Sequence, residues 1–257
     1  MSASSEMFDL TGKVALITGG SRGIGRAIAA GFAAAGADVV IASRKLTACQ
    51  QVAAEIAEST GQRTLGISCH VGRWDECTAL VERIYDTFGR CDVLVNNAGM
   101  SPLYPDLASI TEEYYDKVSS VNLKGPFRLG TLVGTRMAKS GGGSIINVST
   151  IGSLRPGADE LVYSCAKAGL NALTIGLSEA FGPTVRCNGL LPGAVLTDIA
   201  EAWSAERIAH TARVPLGRAG EASDFVGPAL WLASDAASGF VTGVLVRVDG
   251  GNYRQMS

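Results

Sequence analysis

The chain has 257 residues, a formal net charge of −2 and 47% hydrophobic residues. This length suits one large α/β domain over residues 1–257, and the near-neutral charge gives no basis for a nucleic-acid partner. The apolar stretches are short and interrupted, which predicts no membrane span.

The first ten residues lack a basic region followed by an apolar core, so we expect a flexible tail at 1–10 rather than a secretory signal. The six cysteines form no CxxC pair and histidine occurs only twice. These features predict buried thiols in a reducing cytoplasm and no metal site.

An apolar, β-branched run at Lys13–Ile17 predicts a buried strand, and an Ala-rich helix follows at Arg26–Ala35. Three glycines with the spacing GxxxGxG lie between them. Glycines let a backbone approach phosphates, and a helix N-terminus offers free N–H groups and a positive dipole end. The sequence therefore predicts a dinucleotide site whose residues are Gly19, Ser21, Arg22, Gly23, Ile24 and Gly25.

The same turn also matches GxSxG, the nucleophile elbow of α/β-hydrolases, with Ser21 as the nucleophile. That alternative needs an acid and then a histidine downstream. Only His210 lies far enough along, in a polar and irregular stretch, so the hydrolase is disfavoured.

The second predicted strand, Asp38–Arg44, ends where a dinucleotide binder contacts the adenosine ribose. Ser43 occupies this end, Arg44 and Lys45 follow it, and there is no carboxylate to repel a 2′-phosphate. This favours NADP(H) over NAD(H), although NAD(H) stays possible. The alternative is that Arg44 and Lys45 only begin a solvated helix.

Strands and helices alternate along the rest of the chain, which predicts a doubly wound parallel sheet with helices on both faces. The further predicted strands are Arg63–Ser68, Cys91–Val95, Gly143–Val148, Thr184–Leu191 and Thr242–Val248. The further predicted helices are Leu46–Ser59, Arg73–Phe88, Thr111–Lys139, Leu161–Phe181 and Glu221–Ala233.

Two helices carry polar residues that need an explanation. Asn122 lies between apolar neighbours, and a satisfied core amide and a functional group are about equally good interpretations. Tyr163 and Lys167, spaced by four, share one face of their helix. A nearby ammonium favours the phenolate and lowers the pKa of Tyr163, which predicts a general acid/base. The alternative is an ordinary surface pair.

In this order and spacing, the motifs resemble those of the short-chain dehydrogenase/reductase family over nearly the whole chain. The matching pieces are Thr18–Gly25, Asn96–Gly99, Asn122, Ser149–Thr150, Tyr163 with Lys167, Pro192–Thr197 and Val248–Gly251. The resemblance implies a Rossmann-type, mostly parallel sheet of seven strands.

The resemblance also implies roles for individual residues. Tyr163 would exchange the proton, Lys167 would lower its pKa and bind the nicotinamide ribose, and Asn122 would hold a water in a proton relay. Further implied cofactor contacts are Val71 at the adenine, Asn97, Ala98, Gly99, Pro192 and Gly193 at the strand ends, and Val195 and Thr197 at the nicotinamide.

Three positions depart from the family pattern. Thr150 stands where the family usually has the serine that polarises the carbonyl, and we favour it over Ser149, which a strand would turn to the other face. His70 stands where an aspartate often binds adenine; it would accept that hydrogen bond, stack or cap. The turn at Phe181–Arg186 is shorter than usual.

These observations predict an NADP(H)-dependent oxidoreductase that interconverts a carbonyl compound and its alcohol. A catalytically silent NADP(H)-binding sensor or structural subunit is the alternative, supported only by Thr150. We expect a substrate loop over about 194–215, with Met100, Leu103, Tyr104 and Leu154 lining the pocket. No basic residue is clearly placed for a substrate carboxylate, apart from the option of Arg155. The apolar long helices predict a homotetramer, with a dimer as the alternative.

Overall fold

The computed structural model describes residues 6–196 and 214–253. Seven parallel strands form one sheet in the order β3-β2-β1-β4-β5-β6-β7. The strands are β1 Val14–Thr18, β2 Asp38–Ser43, β3 Thr64–Ser68, β4 Val93–Asn96, β5 Gly143–Val148, β6 Val185–Pro192 and β7 Leu245–Val248. The predicted doubly wound sheet is confirmed.

Helices cover both faces of this sheet and bury its apolar side chains in two clusters. The α-helices are α1 Gly23–Ala34, α2 Leu46–Thr60, α3 Trp74–Phe88, α4 Glu112–Ser119, α5 Gly125–Lys139, α6 Leu161–Phe181, α7 Val226–Ala233 and α8 Asp235–Ser238. Helices α1, α2 and α7 contribute to one cluster, and α3, α5 and α6 to the other. Every residue of β1 is buried, which is why its first four residues are all apolar.

The predicted helical stretch over Thr111–Lys139 is helical from Glu112 to Lys139, but it is not one regular α-helix. A π-helical segment, Ser120–Lys124, separates α4 from α5. Pro126 has no N–H to donate to the carbonyl four residues earlier, which belongs to Asn122. Gly125 N donates instead to Ser120 O, five residues back. The widened turn places Asn122 inside the protein, where it is fully buried.

Candidate active site

A cleft of about 980 Å³ opens at the carboxyl edge of the sheet, where ligands bind in open parallel sheets. It contains most of the predicted site residues. These are Gly19, Ser21, Arg22, Gly23, Ile24, Ser43, Arg44, His70, Val71, Asn97, Ala98, Gly99, Thr150, Tyr163, Lys167, Pro192, Gly193 and Val195. Gly25 and Asn122 do not line it, and Thr197 lies outside the described residues.

The glycine turn leads directly into α1, whose first turn contains no acidic residue. Gly19 and Gly23 have φ of 65° and 53°, a conformation that side chains rarely adopt. Gly25 lies beneath the turn, where an added Cβ would lie 2.5 Å from the Gly19 carbonyl oxygen. Residues 21–24 line the cleft, so the N-terminus of α1 with its backbone N–H groups borders it, and such a donor set fits a diphosphate.

Thr18 connects the glycine turn to the end of β4. Its hydroxyl donates to Val95 O at 3.2 Å and accepts from Asn97 N at 3.0 Å and Ala98 N at 3.1 Å. The Asn97 side chain returns a 2.9 Å hydrogen bond to Thr18 O. These bonds hold the two strand ends together as one wall of the cleft.

The end of β2 is basic. Ser43 Oγ lies 3.0 Å from the buried Cys49 Sγ, and the Arg44 side chain is exposed. Two acids among the described residues line the cleft, Asp159 and Glu160, and both lie just before α6. They are on the far side of the cleft from β2, because β1 and β4 separate β2 from β5 in the sheet. The β2 end is therefore chemically suited to a 2′-phosphate.

His70 caps the turn after β3, one of the roles predicted for it. Its Nδ1 accepts a 3.2 Å hydrogen bond from Gly72 N, so the proton of a neutral ring is on Nε2. That nitrogen donates and cannot accept a bond from an adenine amino group. Val71 is buried beside it and packs in the core below the cleft.

Tyr163, Lys167 and Thr150 meet above the end of β5. Lys167 Nζ donates to Val148 O at 2.7 Å and lies 5.8 Å from the centre of the Tyr163 ring. Thr150 lies beside the Tyr163 phenol, where its hydroxyl acts to lower the pKa of Tyr163, and Thr150 Oγ1 accepts a hydrogen bond from Gly152 N at 3.1 Å. Ser149 Oγ donates instead to Lys167 O at 3.2 Å. The geometry therefore brings Thr150, rather than Ser149, to the phenol.

The expected lowering of the pKa of Tyr163 by Lys167 is wrong. Burial raises the pKa of Tyr163, and the charge of Glu160 adds to this, whereas the hydrogen bond from Thr150 opposes it. Burial also lowers the pKa of Lys167 to about 7. The amine is thus partly neutral near neutral pH and its hydrogen bond goes to a carbonyl, so it does not offset the desolvation of the phenol.

The Asn122 amide supports the wall of the cleft from below. Its Nδ2 donates to Met100 O at 2.8 Å and Val118 O at 2.9 Å, and its Oδ1 accepts from Met100 N at 3.2 Å. A Cβ on Gly99 would lie 3.0 Å from Oδ1 and 3.6 Å from Lys167 Nζ. The side chain is a satisfied core amide that positions the loop facing Lys167, and both Nδ2 protons are already bonded.

The sequence interpretation missed several residues that line the cleft, among them Glu160, Asn252 and Tyr253. The sequence offered a signal for Glu160, because it is an acid three positions before Tyr163 at the start of the same helix. Met100 and Leu103 line the cleft as expected, whereas Tyr104 and Leu154 do not; Arg155 lines it too.

Tyr104 instead binds the segment that precedes α6. Its hydroxyl donates to Ala158 O at 2.5 Å and accepts from Leu161 N at 2.8 Å. Of the expected loop at 194–215, residues 197–213 lie outside the described part of the chain.

Comparison with known proteins places the chain in a family. The family model described as Enoyl-(Acyl carrier protein) reductase matches residues 19–252. L-rhamnose 1-dehydrogenase (NAD(P)(+)) of Sphingomonas sp. is 39% identical over 95% of this chain and 97% of its own. The 2-dehydro-3-deoxy-D-gluconate 5-dehydrogenase of Pseudoalteromonas atlantica is 36% identical over 96% and 98%.

Among solved structures, the NADPH-dependent 3-quinuclidinone reductase of Rhodotorula rubra superposes with a TM-score of 0.91 at 30% identity, covering 98% of this chain and 95% of that one. The chain belongs to the short-chain dehydrogenase/reductase family and is an oxidoreductase of the NAD(P)-dependent carbonyl/alcohol type.

None of the helices in the described part of the chain is long and apolar enough to cross a membrane. The six cysteines are all free thiols; Cys165 is exposed and the others are buried. Within residues 6–196 and 214–253, no cluster of histidine, cysteine and acidic side chains has the arrangement of a metal site.

Proposed function

We propose that this enzyme interconverts a carbonyl compound and its alcohol with Tyr163 as the general acid/base and with NADP(H) as the preferred cofactor. The observation that carries the proposal is the placement of the Tyr163 phenol next to the Thr150 hydroxyl and beside Lys167, in the same cleft as the glycine turn. Two hydroxyls directed at one point are suited to polarise a carbonyl oxygen.

Each group has a role that follows from its position. Tyr163 gives its proton to the carbonyl oxygen in reduction and takes it back in oxidation, while Thr150 donates a hydrogen bond to the same oxygen. Lys167 and the backbone of the glycine turn hold the cofactor, which supplies the hydride when bound. The high pKa of Tyr163 keeps the phenol protonated, which suits it to act as the acid.

The preference for NADP(H) rests on charge at the β2 end of the cleft. Arg22 and Arg44 both line this end, and Ser43 stands where a carboxylate would accept a ribose hydroxyl. The 3-quinuclidinone reductase is itself named as NADPH-dependent. A guanidinium pairs bidentately with phosphate oxygens, so the added phosphate should strengthen binding.

Parallel fluorescence titrations with NADPH and NADH test the cofactor preference. The wild-type protein should bind NADPH more tightly, and Arg44→Ala should weaken NADPH binding by roughly 10- to 100-fold while leaving NADH nearly unchanged. Arg83→Ala, an exposed arginine on α3, is the matched control. Tighter binding of NADH by the wild type would contradict the preference.

Turnover by Tyr163→Phe tests the chemistry. The variant should lose at least about 1000-fold in kcat and keep its affinity for NADPH, because the ring stays and only the acid is removed. Tyr115→Phe, at an exposed tyrosine on α4, should match the wild type. Unchanged turnover in Tyr163→Phe would refute the mechanism; cofactor binding without turnover by the wild type would support the silent sensor or subunit.

We further infer a small polyhydroxylated substrate. The support is the names of two relatives, a rhamnose dehydrogenase and a dehydrogenase of a deoxygluconate. Oxidation of neutral sugars with NADP⁺, measured against apolar alcohols of the same size, tests this substrate class. Equal or better turnover of the apolar alcohols would contradict it.

We also propose a homotetramer, with a dimer as the alternative. Ile175 on α6 is 51% exposed and Phe240 before β7 is fully exposed, so apolar side chains from two separate regions face outward. We propose that these side chains pack against other subunits in the assembly. Light scattering on the purified protein should give four or two subunit masses, and a single subunit mass would refute both.

The cysteines support a cytoplasmic location. All six are free thiols, as is typical of a reducing compartment. Cell fractionation tests this placement, and recovery from the extracellular medium would contradict it.

A further inference from the structure

Glu160 is positioned to contact a substrate at the reacting centre. It ends a 3₁₀ helix, Ala158–Glu160, immediately before α6, and is three residues from Tyr163. Its side chain is half-buried and lines the cleft that contains Tyr163 and Lys167. Hydride transfer with Tyr163, Thr150 and Lys167 does not require a carboxylate at this position.

Gly152 makes room for this carboxylate. A Cβ built at Gly152 would collide with Oε1 of Glu160, so the oxygen lies directly against the glycine backbone. Gly152 N donates to Thr150 Oγ1 at 3.1 Å, and both Thr150 and Glu160 are near enough to the Tyr163 phenol to affect its pKa. The carboxylate, the threonine hydroxyl and the phenol therefore surround one small region of the cleft.

The position of Glu160 is also held by the loop on the other side of the cleft. The Tyr104 hydroxyl binds Ala158 O and Leu161 N, on either side of the acid. Tyr104 in turn packs edge-on against Tyr114, with ring centres 5.7 Å apart. These bonds fix the backbone on both sides of Glu160, so less freedom remains to be lost when its side chain contacts a ligand.

We propose that Glu160 accepts a hydrogen bond from a substrate hydroxyl on the carbon next to the reacting carbon, and so selects polyhydroxylated substrates. This rests on the proposed function, because Tyr163 and Thr150 define the reacting carbon. A half-buried carboxylate gains most from an O–H donor in a site that excludes water. Its charge also repels a substrate carboxylate, so neutral polyols are preferred over acids at this position.

The specificity constants of Glu160→Ala, measured with NADP⁺, test the inference on two cyclic compounds with six carbons each, L-rhamnose and cyclohexanol. The variant should lose roughly 10- to 100-fold in kcat/KM with the sugar, mainly through KM, and stay within about threefold with cyclohexanol. Glu160→Asp should recover part of the loss. Glu58→Gln, at an exposed acid on α2, should behave as the wild type.

A third substrate distinguishes a hydrogen bond between Glu160 and a substrate hydroxyl from general attraction of a positively charged substrate by the carboxylate. Reduction of 3-quinuclidinone, an amine ketone, is measured with NADPH in the same variants. A loss confined to this amine, or an equal loss with the sugar and cyclohexanol, overturns the role of Glu160 and leaves hydride transfer intact. No turnover of any of these compounds by the wild type overturns the proposed function and this inference together.

Discussion

Lys167 Nζ donates a 2.7 Å hydrogen bond to the carbonyl oxygen of Val148, the last residue of β5. Only 2% of Lys167 is exposed. The bond anchors α6 to the carboxyl edge of the sheet and places an amine beneath the Tyr163 ring. Because an amine this deep is poorly solvated, its pKa falls to about 7 from 10.5, and this has a consequence for stability.

Lys167→Met should flatten the pH dependence of stability in the ligand-free protein. Between the folded pKa of about 7 and the unfolded value of 10.5, the unfolded chain binds a proton that the folded chain does not. The free energy of unfolding therefore rises with pH across that window. Below the folded pKa, the buried amine is protonated and its full cost to stability is present.

Urea unfolding from about pH 7 to about pH 10 measures this effect. The difference in unfolding free energy between wild type and Lys167→Met should change by a few kcal/mol over the window. Lys139→Met, at an exposed lysine on α5, should show no such change. A difference that does not vary with pH would contradict the buried, titrating amine.

Thr18→Val should destabilise the fold by about 2–4 kcal/mol, because the same-shaped valine leaves two backbone N–H groups without their acceptor. These are the N–H groups of Asn97 and Ala98, which bond to the Thr18 hydroxyl at 3.0 and 3.1 Å. Thr18→Ser keeps the hydroxyl and should cost less than about 1 kcal/mol. Equal urea midpoints for the two variants would show that the hydroxyl is dispensable.

Ser43→Asp should change the cofactor preference. A carboxylate at the end of β2 would repel a 2′-phosphate and accept a hydrogen bond from a ribose hydroxyl. We expect NADPH affinity to fall roughly 10- to 100-fold while NADH affinity holds or rises. Ser43→Ala, which loses the 3.0 Å contact with Cys49 and adds no charge, is the control. Equally weakened binding of NADPH and NADH would mean that the end of β2 does not contact the 2′-phosphate.

Ser164→Ala should leave stability unchanged or raise it by up to about 1 kcal/mol. Ser164 is 2% exposed, and its hydroxyl has no hydrogen-bond partner among the described residues. Ser144 is as deeply buried, but its hydroxyl donates to Leu232 O at 2.8 Å. Ser144→Ala should therefore cost about 1–2 kcal/mol, and a similar loss in Ser164→Ala would reveal a partner for its hydroxyl.

Local patterns in the sequence were enough to determine the fold. The predicted bounds of β5, Gly143–Val148, and of α6, Leu161–Phe181, are those of the structure. A continuously apolar run specifies a strand buried on both faces, and glycines between strand and helix specify a tight turn. A spacing of four puts Tyr163 and Lys167 on one helix face whatever surrounds them.

Only the tertiary structure decided how the site is charged and supported. The Asn122 amide is hydrogen-bonded to the backbone of Met100, which is distant in sequence. The π-helical turn that directs Asn122 inward depends both on this contact and on the missing N–H of Pro126. The raised pKa of Tyr163 and the position of Glu160 against Gly152 depend on burial and on packing between separate elements. Desolvation and non-local contacts arise only when the chain has folded, so residue spacing does not encode them directly.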